Sequence, residues 1–93
     1  MSDYEEVIEA LIDQFINTQG KPVVVRQANK SDNIQVDDDG NVESIDNGEE
    51  ALQDVMNNFS DIMGPVAYAM GSRAVDDLDL DGINLPDDLE ENI

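Results

Sequence analysis

Pro22-Val23-Val24-Val25-Arg26-Gln27-Ala28 decides how many strands the fold holds. A proline opens the run, and three successive valines follow it. Valine is stiff at χ1 and packs well on a pleated surface. A short β-branched run of this kind predicts a strand over 22–28.

Upstream of it the period is helical. Ser2-Asp3-Tyr4-Glu5 fits a capping box, with Ser2 as N-cap and Glu5 three residues on. Tyr4, Val7, Ile8, Leu11, Ile12, Phe15 and Ile16 then fall on one face. Gly20 is a stop signal with Pro22 behind it, so a first helix is expected over roughly 3–18.

Downstream, Asn29 to Asn33 reads as a loop. Ile34-Gln35-Val36 and Val42-Glu43 alternate around Asp37-Asp38-Asp39-Gly40-Asn41, a hairpin whose glycine can take a positive φ. Asp46-Asn47-Gly48 offers a cap to a second helix. Leu52, Val55, Met56, Phe59, Ile62 and Met63 form its stripe, and Gly64-Pro65 interrupts it. Val66 to Leu78 continues helically, with Ala67, Met70, Ala74 and Val75 inward. An extended stretch follows, with one helical turn from Pro86.

The expected fold is therefore α+β. It has an N-terminal helix, a small three-stranded antiparallel sheet, and two C-terminal helices packed on one face of that sheet. Residues 1–78 form a single domain, and 79–93 an acidic tail.

Composition narrows the function. The 93 residues carry 23 acids against four cations, a net charge of −19, with no Cys, His or Trp. Leu, Ile, Val and Phe supply 25 residues, above the roughly 20% level of disordered, highly charged chains. By size scaling the chain buries a little over ~60% of its unfolded surface, so its core is small. No disulfide scaffold is possible, and a structural zinc site is not expected. The usual imidazole base and thiolate nucleophile are absent, and no Gly-rich phosphate loop occurs, so neither an enzyme nor a cofactor is expected. The longest run without charged or amide side chains, Ile62 to Ser72, has 11 residues, against the ~20 a bilayer requires. An acidic start, opposite to a signal-peptide n-region, points to the cytoplasm. Nucleic acid and anionic membrane need a basic surface, so neither is an expected partner.

Two patterns suggest sites. Asp77-Leu78-Asp79-Leu80-Asp81-Gly82 places oxygens at positions 1, 3 and 5 of a calcium loop, with Gly at 6 and Asp88 at 12. Asn84 at position 8 and Pro86 at position 10 both depart from that template, and 15 Asp make such runs common. A second tract, Gln35 to Asp46 around Asp37-Asp38-Asp39-Gly40, is explained by the hairpin tip. Gly64 to Val75 is the least acidic segment. Ala67, Gly71 and Ala74 are small at helical spacing, which suits close approach of another helix. A homodimer is expected there, with Tyr68, Met70, Gly71 and Arg73 at the interface.

Asp outnumbers Glu by 15 to 8, Lys falls to two, and aromatics are scarce. In this the chain resembles the small acidic proteins of halophilic archaea. At ~1 M salt the Debye length is ~3 Å, so such carboxylates scarcely repel one another. The resemblance implies a cytosolic, salt-adapted protein, and the residues suggest a non-enzymatic partner-binding or dimeric module. The alternative resemblance is to phage DNA mimics, such as anti-restriction proteins, which inhibit DNA-binding proteins. A mimic concentrates its acids on one face, whereas here they occur on both main helices, the hairpin and the tail.

Overall fold

The computed structural model describes residues 3–92. Asp3 opens α1 (Tyr4–Gln19): its Oδ1 accepts the Glu6 amide at 2.9 Å. The cap is thus Asp3; Ser2, expected in that role, lies outside the described residues. Val7, Ile8, Leu11, Ile12 and Phe15 of the expected stripe are fully buried.

After Gly20 (φ 91) the chain enters α2 (Lys21–Ala28), a helix where a strand was expected. Pro22 stands in the first turn, where its missing amide costs nothing. Val24, Gln27 and Ala28 are buried, at helical spacing. Helix propensity penalises valine by at most about 0.7 kcal/mol per residue. Burying one valine completely returns about 1.5 kcal/mol or more, so packing against α1 and α3 outweighs local preference. Gln27 Nε2 also donates to the Asn58 carbonyl at 2.6 Å, while Asn58 Nδ2 donates to the Gln27 carbonyl at 3.3 Å.

The sheet consequently has two strands, not three: β1 (Ile34–Val36) and β2 (Val42–Ile45), antiparallel. Ile34 faces Ile45, Gln35 faces Ser44 and Val36 faces Val42, so the register slips by one residue at Glu43. The place of a third strand is taken by one side chain. Asn29 Oδ1 accepts the Val36 amide at 2.8 Å, and Asn29 Nδ2 donates to the Val36 carbonyl at 2.9 Å. The edge of β1 is closed there without a neighbouring strand.

Asn47 caps α3 (Gly48–Met63) by accepting the Glu50 amide at 3.1 Å. Ala51, Leu52, Val55, Met56 and Phe59 are buried, but Ile62 leaves the stripe and is 46% exposed. Gly64-Pro65 turns the chain into α4 (Val66–Ala74), which stops short of Leu78. Both helices were expected on one face of the sheet. They pack on α1 instead, and the hairpin's main neighbours are α1 and α2. Phe15 of α1 and Phe59 of α3 stack at the centre, ring centroids 4.3 Å apart.

The stretch set apart in the sequence as a tail lies against this core. Tyr4 Oη accepts the Asn84 amide at 2.8 Å. Leu89, in the single turn α5 (Asp87–Glu90), is completely buried. Gly71 of α4 lies directly beneath it: a Cβ there would meet Leu89 Cδ1 at 3.0 Å, and Leu11 Cδ2 and Met56 Cε at 3.2 Å. No helix among the described residues is long and apolar enough to cross a membrane.

Candidate interaction surface

The charges are sorted by element. No acid occurs between Asp13 and Asp32, or between Asp61 and Asp76, and those two stretches hold all four cations. They correspond to α2 and α4 with their flanking turns. Exposed acids occupy the rest: Glu5, Glu6, Glu9 and Asp13 on α1, Asp38, Asp39 and Glu43 in the hairpin, Glu49 and Glu50 on α3, and the residues from Asp76 onward.

Most charges complement the helix that carries them. Glu5 and Glu6 lie in the first turn of α1, Glu49 and Glu50 in that of α3, and Arg26 and Arg73 in the last turns of α2 and α4. That placement favours each by about 0.3–1 kcal/mol in dilute salt. Arg73, expected at an interface, is exposed, and it has this local role already. Lys21 and Asp61 run the other way. Lys21 is a cation at the first residue of α2, and Asp61 an anion in the last turn of α3.

These two exceptions occur at the same end of the molecule. The reciprocal Gln27–Asn58 pair and the Ser31 Oγ donation to Asp54 Oδ2 at 2.7 Å set α2 antiparallel to α3. One turn beyond the clamp, on the same faces, stand Val23 and Ile62. Val66 follows across the Gly64-Pro65 turn. These three are the exposed large hydrophobic side chains of the described residues, at 37%, 46% and 51% exposure. Pro22 and Pro65 are exposed beside them in sequence. The result is an apolar pole on an acid-coated protein, with Lys21 and Asp61 on its two helices and Asp88 and Glu91 across the groove that Pro65 lines.

Tyr68 and Met70 are half-buried and packed against the core, and Gly71 is buried beneath Leu89. The small residues that suggested an outward docking face serve the internal approach of α4 to α1, α3 and α5. Tyr68 still reaches solvent, in an open groove of about 550 Å³ shared with Ser60, Pro65, Asp88 and Glu91.

The four calcium-loop candidates do not converge. Asp77, Asp79, Asp81 and Asp88 are all exposed, and Asp88 is held within α5. Asp79 Oδ1 turns back to accept the Asp81 amide at 3.1 Å. No group of three acidic side chains that could hold a metal occurs among the described residues. At the hairpin tip, Asp37 Oδ1 accepts the Asn41 amide at 2.8 Å and that of Asp39 at 2.9 Å. These bonds, led by the one from Asn41, hold its carboxyl below the usual carboxylate range. Partial burial, then the neighbouring Glu5 and Asp13, push Glu9 above that range.

The sequence reading found α4 as a low-acid segment but missed Lys21, Val23, Asp61 and Ile62. The signal was the second acid-free window, between Asp13 and Asp32, which assignment as a strand had hidden. No protein-family model, curated protein or solved structure matches the chain.

Proposed function

We propose that the chain is a cytosolic, salt-adapted, non-enzymatic module that binds a protein partner through surface its acids leave clear. The observation that carries this reading is the sorting of charge. Exposed acids occur on α1, the hairpin, α3 and the C-terminal stretch, while α2 and α4 have none. A coat spread over so many elements suits solvation in molar salt. It does not suit imitation of one phosphate stripe. An interface among such acids would desolvate carboxylates at a cost, so the acid-free helices are where contact is favourable.

The test is a series of thermal melts, followed by circular dichroism, from ~0.1 M to ~2 M KCl. The midpoint should rise with salt. A flat or falling midpoint refutes salt adaptation. Competition with duplex DNA for a DNA-binding protein would favour the mimic instead.

A further inference from the structure

We infer that the apolar pole formed by Val23, Ile62 and Val66 is a self-association surface, on which a second copy of the chain docks about a two-fold axis. This rests on the partner-binding reading and names the partner. Three observations select a second copy. The first is the apolar content: all three exposed large hydrophobics of the described residues lie at this end, where both acid-free helices begin. The second is net charge. Two chains of −19 can approach only where carboxylates are sparse, and the segments that form this pole, Gln14 to Ser31 and Asp61 to Val75, hold Asp61 as their one acid, with Asp88 and Glu91 bordering it across the groove beside Pro65.

The third is the sign pattern. A two-fold interface is self-complementary, so whatever residue i meets, its equivalent meets in return. Lys21 and Asp61 are of opposite sign, both exposed, and on the two helices that border the pole. The axis pairs Lys21 of each copy with Asp61 of the other. It also places each charge near a counter-charge that its own helix terminus does not supply, since Lys21 is at an N-terminus and Asp61 near a C-terminus. An unrelated acidic protein would satisfy Lys21 but would be repelled by Asp61. The ion pairs orient the copies, and burial of the three side chains supplies the affinity.

Sedimentation equilibrium of the full chain at tens of micromolar in about 2 M KCl tests this, because dilute salt biases the chain toward monomer. The expected mass is twice 10.2 kDa. Ile62→Asp and Val66→Asp, at exposed positions that leave helix content unchanged, should each raise the dissociation constant about tenfold or more. Lys21→Asp and Asp61→Lys should each weaken the dimer, and the two together should restore it. A monomer overturns the proposal. So does a dimer indifferent to both apolar variants, or one in which the combined charge swap is weaker than either single change. A monomer whose melting midpoint still rises with KCl removes the dimer and leaves the salt-adapted reading standing.

Discussion

Asp37 and Glu9 belong to the same class of side chain, and their surroundings shift them in opposite directions. Asp37 accepts the amides of Asn41 and Asp39, and its own amide donates to the Asn41 carbonyl at 2.9 Å, so its ionised form knots the hairpin tip. Its carboxyl is held low, so the stabilisation is present above the ordinary carboxylate range and disappears as pH falls through its folded value. Asp37→Ala should lower the melting midpoint by a few degrees at neutral pH and remove that part of the acid dependence, as melts from neutral to acidic pH would show. Glu9 shares the α1 surface with Glu5 and Asp13 at four-residue spacing. Its value is raised, so stability is lost as pH rises from the ordinary range through the raised one. Glu9→Gln should gain about 0.3–0.5 kcal/mol at neutral pH in dilute salt, read by urea denaturation, and nearly nothing in molar KCl. Gly40 completes the tip with φ 87, a conformation that costs an L-residue about 1–2 kcal/mol.

At the scale of elements, α5 offers the sharpest prediction. Leu89 is completely buried and packs where Gly71 lets it approach. Leu89→Ala should cost about 2–5 kcal/mol by cavity formation, with faster amide exchange in residues 79–92 than in α1. A cost under about 0.5 kcal/mol would mean the C-terminal stretch is not docked. This docking was invisible in the sequence because one leucine among Asp and Glu has no period to announce it. By contrast α1 and α3 were legible, since five or more apolar residues repeat there at 3.6. The hairpin was legible from Gly40 and the alternation around it. The second helix was misread because three β-branched residues dominate a seven-residue run. Its burial pattern of Val24, Gln27 and Ala28 includes an amide that hydrophobic patterning discounts. Gln27 is buried because Asn58 satisfies it, a pairing 31 residues away that no local rule anticipates. The same misreading concealed half of the candidate surface, since Val23 shares the face of Gln27, one turn from the Asn58 pairing, only when 21–28 is helical.

For the whole molecule, the question is how −19 charges share a body with principal extents of 30 × 26 × 20 Å. In dilute salt the Debye length at 0.1 M is about 10 Å, so each acid feels several neighbours on its own side. At ~1 M it is about 3 Å, and only near-contact pairs remain. Salt can stabilise the fold in two ways, by screening this repulsion or by cations held at particular carboxylates. The absence of convergence among Asp77, Asp79, Asp81 and Asp88 favours screening. A screening mechanism makes two demands. KCl and NaCl should act alike at equal ionic strength, and removing charge should replace salt. The combined variant Glu9→Gln, Asp13→Asn removes the repulsion along one exposed row of α1, keeping Glu5 in the first turn where the helix dipole favours it, without touching the buried stripe. It should therefore raise the midpoint at ~0.1 M by about 2–8 °C, the shift of roughly 0.5–1 kcal/mol from relieving two like-charge pairs in a domain of this size. In 2 M KCl it should match the parent, because there the row is already screened. A variant that gains equally at both salt concentrations would indicate improved helix propensity rather than relief of repulsion. A parent stabilised by KCl but not by NaCl would require selective cation binding, and screening would then not be the mechanism.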